Sequence, residues 1–460
     1  MQYSIVYFSE ASKEKRFDAE FYLPKYEIAY SKIKKYKWKY LRELIYSLGD
    51  YHSNGSYETL RNHVTLLNYK SYAYYLRTKE LENNDFENDV LYVSESAYNF
   101  LEKSKLRGFE IAINKVGSPG NVYQVPNLNI PMTLGMNLFS IVPINNINCH
   151  YLYIYLSSYY GQLFLHQRVT GAVPPSIDKE SVRKVPVPIF SDEFQKSIEK
   201  LVLEAHNQRQ KSNSLMKEAN QILEKEIGFD KLEIKKKKVN YSIVNYSETL
   251  LAKRIDAEYY QEKYKIIMDK IQSYKNGCIK IIDLNSINNK LVSIDKNKKY
   301  EYIELSNIDS MGFINNLELY YGYELPSRAR RLLNNNDVII SSVEGSLDKS
   351  SLIYNNKNNL LCSTGFLVFN ENEFINPETL FCFFRLTLIK ELLKKITKGT
   401  ILTAFDSNAI CDIEIPNLDK NVQNIIAEKV QEAYKARDKA KALLEEAKKK
   451  VEDTIENGER

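Results

Sequence analysis

Cysteine is scarce in this sequence, and what there is sits badly for chemistry. The five residues, Cys149, Cys278, Cys362, Cys382 and Cys411, are odd in number, far apart and never in a C-x-x-C pair. That pattern argues against a disulfide framework or a zinc site, and leaves small buried residues in a reducing compartment. No run approaches the roughly 20 apolar residues that a membrane helix needs. The N-terminus, MQYSIVYFSEASKEKR, lacks the apolar core and small-residue cleavage site of a signal peptide. The expectation is a cytoplasmic chain with no membrane contact. An excess of one charge is also missing: 64 basic residues face 59 acidic ones, a net charge of +5 that is too weak to announce nucleic acid by itself.

Catalytic motifs are missing as well. There is no G-x-x-x-x-G-K-[ST] phosphate loop, no G-x-G-x-x-G after a strand, no G-x-S-x-G elbow and no H-E-x-x-H. An adenine methyltransferase needs an N/D-P-P-Y/F type of loop, and the nearest string, NIPM at 129–132, lacks the paired prolines and the aromatic. The five histidines, His52, His63, His150, His166 and His206, show no ligand spacing. We therefore expect no catalytic residue, no cofactor and no metal site, and no enzyme in the isolated chain.

What is present is a repeat. The stretch 191–228 places Phe194, Ile198, Val202, Ala205, Ser212, Met216, Ala219, Leu223 and Ile227 on one helical face, in steps of three and four with Arg209 standing between Ala205 and Ser212. Adding 228 gives Val422, Ile426, Val430, Ala433, Ala440, Leu444, Ala447, Val451 and Ile455. Arg209, inside the stripe, returns as Arg437, either fixing register or snorkelling off the seam. YSIVYFSE at 3–10 returns as YSIVNYSE at 241–248, and RFDAEFY at 16–22 as RIDAEYY at 254–260, both at an offset of 238. A period this long means two copies of a domain plus its helix. NDVLYVS at 88–94 and NDVIISS at 336–342 read as matching turn-and-strand units. Glycine-bearing loops follow, NKVGSPGN at 114–121 and SVEGSLDKS at 342–350. The closing segments 169–190 and 396–418 align at 228.

The organisation is domain, helix, domain, helix: 1–190, 191–232, 233–416 with a linker at 233–240, and 417–460. The run Lys235–Lys238 in the linker is a solvated connector or a DNA contact. At about 1.5 Å per residue a helix of this length spans roughly 50 Å, and the matched alanines favour close approach in an antiparallel pair. The C-terminal helix, with 10 basic and 10 acidic residues between 418 and 460, reads as a coiled-coil spacer, since a DNA-reading basic helix would be strongly positive. Matched ends with differing middles suggest two similar domains that recognise two different things.

These features, in this order and twice over, resemble the specificity (S) subunits of type I restriction–modification systems. The resemblance rests on RFDAEFY and RIDAEYY, the NDV strands with their glycine loops, the closing segments and the two long helices. It covers nearly the whole chain. It implies an α+β fold of two tandem, pseudo-symmetric α/β target-recognition domains separated by two long helices in an antiparallel coiled coil. Each domain would read one part of a bipartite site on double-stranded DNA. The helices would set the half-site distance and dock methyltransferase (M) subunits, two in number, that carry S-adenosylmethionine and methylate adenine N6. A translocase–endonuclease (R) subunit would be a further partner in phage defence. Other readings are a non-catalytic coiled-coil scaffold that binds proteins, and the specificity subunit of a related two-subunit restriction enzyme.

Base and phosphate contacts come mostly from Arg, Lys, Asn, Gln, Ser and Thr on loops. The glycine loops therefore nominate Lys115, Ser118, Asn121 and Tyr123 in the first half, and Ser342, Glu344, Ser346, Lys349 and Ser350 in the second. Arg168, Thr170, Lys398 and Thr400 in the closing segments are candidate phosphate contacts. The cluster Arg328, Arg330 and Arg331 would hold backbone phosphate or form a solvated face.

Overall fold

The computed structural model describes residues 5–87, 89–234, 241–315, 317–354, 359–399 and 403–459. Asn88, the Lys235–Lys238 run and Thr400 lie outside the described residues. The chain divides into two compact units. Unit 1 holds residues 1–208 and 438–460, and unit 2 holds residues 209–437. Each long helix, Asp192–Ile227 and Lys420–Asn457, is thus shared between them.

Unit 1 contains β1 (Trp38–Tyr40), β2 (Ile45–Asp50), β3 (Ala73–Leu76), β4 (Leu91–Val93), β5 (Lys105–Leu106), β6 (Ile111–Asn114), β7 (Val122–Gln124), β8 (Met132–Leu134), β9 (Leu138–Pro143) and β10 (Pro186–Pro188). Unit 2 contains β11 (Cys278–Lys280), β12 (Ile287–Asn288), β13 (Lys299–Ile303), β14 (Leu319–Tyr321), β15 (Ala329–Leu332), β16 (Val338–Ser341), β17 (Ser350–Leu352), β18 (Leu360–Ser363), β19 (Phe366–Phe369) and β20 (Glu414–Pro416). The sheet orders match one for one. An antiparallel sheet β2-β9-β6-β7 in unit 1 answers β12-β19-β16-β17 in unit 2. A mixed sheet β4-β3-β8-β5, parallel only at β3–β8, answers β14-β13-β18-β15, parallel only at β13–β18. The two-stranded ladders β1–β10 and β11–β20 complete the set. The strands beneath the glycine loops, IAIN and VIIS, are buried along their whole length. This is the continuous apolar pattern of a strand covered on both faces.

Strand order corrects one expectation. NDVLYVS and NDVIISS are not counterparts. LYV forms β4, an edge strand of the mixed sheet, and its match is β14, LYY. The counterpart of β16 is β6. Each follows a residue at φ +68°, Phe109 and Asn336. Each is preceded by a buried acid: Glu110 accepts from the N–H groups of Arg107 and Gly108, and Asp337 from that of Asn334. A strand is defined by its hydrogen-bonded neighbours, which a shared tripeptide does not specify. With β6 in place, the glycine loop follows its strand directly in both units.

The shift from an offset of 238 to 228 also finds its place. Between β2 and β3, Gly49 to Tyr74 spans 25 residues, whereas Asn288 to Tyr302 spans 14. Unit 1 uses the extra length for an excursion that includes the helix Tyr57–His63.

The repeated signatures are clasps. Arg16 donates to both oxygens of Asp18 at 2.6 and 2.7 Å and reaches the Val169 carbonyl at 3.5 Å, while the Tyr22 hydroxyl donates to the Arg16 carbonyl at 2.9 Å. Arg254 does the same with Asp256 at 2.7 and 2.6 Å and with the Thr397 carbonyl at 3.0 Å, and Tyr260 donates to the Arg254 carbonyl at 2.7 Å. The long helices carry a second lock. Gln195, buried, accepts from the N–H of Asn148 at 2.9 Å, and Asn148 caps the helix Cys149–Ser157. Gln423 accepts from Asn376 at 2.9 Å, and Asn376 caps Pro377–Arg385. Capping satisfies backbone donors at the helix start, so each lock ties a domain helix to a long helix without leaving an orphan amide.

The apolar and small residues of the stripe are buried as the periodicity requires, except Val422 and Leu444, which are half-buried. In unit 1, Ile198 and Val202 share a core with Ala447, Val451 and Ile455, and Lys450 and Lys439 reach Ser197 and Glu204. In unit 2, Met216, Ala219 and Leu223 share a core with Ile426, Val430 and Ala433, and Ser212 donates to the Ala433 carbonyl at 2.7 Å while Lys429 pairs with Glu218 at 2.7 Å. Within each unit the partner numbers fall as the first helix rises, so the two segments run in opposite directions.

Candidate nucleic-acid interface

In each unit the loop after the buried strand is pinned to the closing loop by isolated bridges. Val116 bridges Ser176, which also pairs with Thr170; Val343 bridges Ala404, which also pairs with Lys398. Gly117 (φ +91°) and Gly120 (φ +94°) let the first loop turn, and at Gly120 a Cβ would press on the His166 ring at 3.2 Å. In unit 2 the loop instead makes one 3₁₀ turn, Glu344–Ser346.

The nominated side chains divide sharply between surface and framework. Ser118 and Thr170 are exposed, as are Arg328, Arg330 and Lys398. Arg330 Nε donates to the Val292 carbonyl at 3.2 Å and leaves the rest of its guanidinium to solvent. Lys115 is turned inward: its Nζ lies 3.0 Å from Asp50 and 3.3 Å from His52 Nδ1. Lys349 Nζ donates to the Ile308 carbonyl at 2.6 Å. Asn121, half-buried, accepts from the N–H of Asn114 through its carbonyl at 2.9 Å. Tyr123 donates to Glu82 at 3.1 Å, and burial raises its hydroxyl above the ordinary tyrosine range. Arg168 is largely buried beside Glu14 at 3.6 Å and over the Phe21 ring, and desolvation lowers its pKa. Arg331, beside Arg330 at a β-bulge, donates to the Phe366 carbonyl and is likewise lowered by burial. Ser342 is buried and donates to the Gly365 carbonyl at 2.9 Å, and Ser350 is 1% exposed, so neither offers its hydroxyl to a ligand. Ser346 shares a hydrogen bond of 2.9 Å with Ser341, and Glu344 stands 3.9 Å from Lys394. The loops are therefore ordered largely by the residues that composition nominated as readers.

The chain is similar to solved structures of type I restriction–modification S subunits. With the S subunit from M. genitalium it shares 14% identity, over 91% of this chain and 95% of that one, at a TM-score of 0.39. With the HsdS subunit from Thermoanaerobacter tengcongensis it shares 10%, over 92% and 97%, at 0.30. A chain from a study of assembly and conformational transition in the type I R-M system gives 13%, over 92% and 98%, at 0.30. No family model and no curated protein matches the sequence.

Sequence reasoning passed over the aromatic and basic surface of the mixed sheets. In unit 2, Lys299 Nζ lies 4.7 Å over Tyr321, which stacks on Tyr323 at 5.5 Å and 10°. In unit 1, Lys105 Nζ lies 4.7 Å over Tyr98, which leans on Tyr72 at 5.5 Å. The excursion before β3 adds exposed Tyr57 and Tyr69 with Arg61, His63 and Lys70. The signal in unit 2 was the alternation KYEY at 299–302, which reads equally well as ordinary packing; in unit 1 Tyr98 lies on the helix Glu95–Phe100 and only Lys105 on a strand, so no strand pattern marked it. Among the described residues no group of His, Cys, Asp and Glu could hold a metal, and no helix is long and apolar enough to cross a membrane.

Proposed function

We propose that the chain is the DNA-specificity subunit of a type I restriction–modification complex. Each unit reads one part of a bipartite duplex site, and the paired long helices form an antiparallel coiled coil that sets the spacing and serves adenine-N6 methyltransferase subunits. One observation carries this reading: the two units repeat sheet order, loop bridges and polar locks, yet differ in the exposed residues of the mixed sheets and in the length before β3. Repetition of framework with divergence of surface suits two readers of unlike half-sites. Arg328, Arg330, Lys398, Thr170 and Ser118 are the nominated residues that stay open to phosphate or base edges.

The test is methylome sequencing of host DNA with and without the gene. Loss of N6-methyladenine at one asymmetric, two-part motif is expected, and replacing residues 1–190 by another such domain changes one half of that motif. An unchanged methylome in a strain that expresses the partner methyltransferase overturns the reading.

A further inference from the structure

The turn that follows β14 holds two tyrosines in solvent, stacked on each other and fixed in place. Tyr321 and Tyr323 are 38% and 63% exposed, with ring centroids 5.5 Å apart and planes at 10°. Lys299 lies opposite Tyr321 in the β13–β14 ladder and sets its Nζ 4.7 Å over that ring. Tyr323 has one face on Tyr321 and leaves its outer face open. The backbone beneath is tied down. The N–H groups of Gly322 and Tyr323 donate to the Lys298 and Lys296 carbonyls at 2.9 and 3.3 Å, and Glu324 Oε2 accepts from the Tyr321 N–H at 2.7 Å. A Cβ at position 322 would stand 2.1 Å from the Asp295 carbonyl oxygen, so glycine is what lets the two turns meet this closely. The neighbours Tyr320 and Leu325 pack on the core formed by Tyr300 and Tyr302, whereas the two stacked rings stay outside it. Lys296, Lys298 and Lys299 are exposed around the rings, and among the described residues none of them has a carboxylate partner. The carboxylates beside them are less free. Asp295 accepts from the Asn297 N–H at 3.0 Å, Glu318 accepts from the Tyr320 hydroxyl at 2.7 Å, Glu324 is held as above, and Glu301 is half-buried.

Open ring faces beside unpaired ammonium groups suit a nucleic acid strand, whose bases stack on aromatic rings while its phosphates meet the cations. An intact duplex offers its grooves only base edges. A ring face is therefore useful only to a base that has left the stack. We propose that Tyr323 is a stacking platform for one unstacked base of the half-site that unit 2 reads, with Lys296 and Lys298 on the flanking phosphates. The inference rests on the proposed function and deepens it: unit 2 selects its half-site partly by which base pair opens most easily, a cost that depends on sequence at positions whose edges are never touched. Unit 1 is built differently, since its Tyr72 and Tyr98 rings are tilted at 54° and Lys105 lies over Tyr98. The distortion is accordingly confined to one half of the site.

The experiment titrates the full chain, in complex with the methyltransferase encoded beside it, against duplexes carrying the methylated motif, by fluorescence anisotropy. A single mismatch is placed in turn at each base pair of the half that survives exchange of residues 1–190, the pair of the methylated adenine excepted. At one position the mismatch is expected to tighten wild-type binding by about threefold or more, because a mismatched base leaves the stack more easily. Tyr323→Ala abolishes that gain and weakens binding to the matched duplex about tenfold, while Tyr323→Phe and Tyr323→Trp keep both. Lys298→Ala weakens matched and mismatched duplexes alike. Should Tyr323→Ala lower Tm by more than about 2 °C, Tyr323→Leu, which still covers Tyr321 but offers no ring, replaces it. Binding by the alanine variant as tight as wild type overturns the platform. So does a loss of binding with no position at which a mismatch helps, which makes Tyr323 an ordinary groove contact. Both of these results leave the specificity reading intact. A wild-type complex with no preference for the motif duplex overturns both.

Discussion

Removing the guanidinium of Arg437 should unfold unit 2 first. Arg437 Nη2 lies 2.6 Å from Asp309 Oδ2 and 2.9 Å from Asn315 Oδ1, and its guanidinium sits 4.5 Å over the Phe313 ring. The side chains are 15% and 2% exposed, so Asp309 is the partner that cannot turn to water. Breaking one side of a buried pair costs about 3–5 kcal/mol. Asp309 keeps three other donors, the N–H groups of Met311 and Phe313 and the Asn315 amide, which places Arg437→Ala at the lower end, about 3 kcal/mol. For a unit of this size that is a fall of roughly 6–12 °C in Tm. The one tryptophan, Trp38, is in unit 1, so its fluorescence follows that unit while near-UV circular dichroism follows both. The displaced transition is expected in circular dichroism without a matching early change in Trp38 fluorescence. Asp309→Asn combined with Arg437→Ala should cost at least 1 kcal/mol less than the two single changes added together. A loss below 1 kcal/mol, or strict additivity, refutes the argument that a charge is left stranded.

Other outcomes follow from the same geometry. At Gly161→Ala the new Cβ meets the Tyr155 carbonyl oxygen at 2.2 Å and Leu156 Cα at 2.5 Å; with backbone on the other side, a loss of about 3 kcal/mol or more in unit 1 is expected by denaturant titration. The Arg16 and Arg254 hydrogen bonds hold the Asp18 and Asp256 carboxyls below the usual range. Their stabilisation is present above the unfolded pKa near 4 and is lost as pH falls through the lower folded value. Being surface pairs they contribute about 1 kcal/mol or less each; Arg16→Ala should flatten the acid side of the unit 1 melting profile below about pH 4. Burial holds His150 below the ordinary imidazole value, so it favours the folded state above about pH 6.5 and opposes it as pH falls; replacing it with Gln should weaken that dependence. Under the proposed function, Arg330→Ala and Lys398→Ala should each reduce the slope of log K against log salt by about 1 for duplex DNA without changing the methylated motif.

The seam was legible because a helix needs only its period. Phe194 to Ile227 recurs in threes and fours, and those nine side chains are all buried. The clasps were legible as repeats but not as contacts, since nothing in RFDAEFY says that Arg16 will reach the Val169 carbonyl 153 residues away. The strand pairing failed for a physical reason. Asn-Asp-Val marks a turn into an apolar run, and two different places in this fold require that. Only the hydrogen-bonded neighbours separate β4 from β6: β4 pairs with β3, upstream of it, and β6 with β7 and β9, both downstream. Most of the nominated loop residues failed in a related way. Lys115, Lys349 and Arg331 have the chemistry of phosphate contacts, but a loop needs donors for its own carbonyls and carboxylates, and these residues meet that need first.

The two copies therefore tell internal from external constraint without any alignment. Positions that must satisfy a buried partner are the same: Gln195 and Gln423, Asn148 and Asn376, Arg16 and Arg254. Each lock leaves an unpaired polar group if one member changes, at a cost of about 1–3 kcal/mol. Side chains around the mixed sheets carry no such penalty, and there the cation–ring contacts differ: Lys105 of β5 lies on Tyr98 in unit 1, whereas Lys299 of β13 lies on Tyr321 of β14 in unit 2, on strands that are not counterparts. Drift alone would relax both surfaces in the same way and leave loop lengths free to change anywhere. Instead the large length change sits in one place, the excursion between β2 and β3, while the bridges from Val116 to Ser176 and from Val343 to Ala404 keep their positions. A chain whose halves had to read different half-sites from one framework would diverge in that way, which makes residues 51–72 the segment whose exchange should most sharply alter what unit 1 recognises.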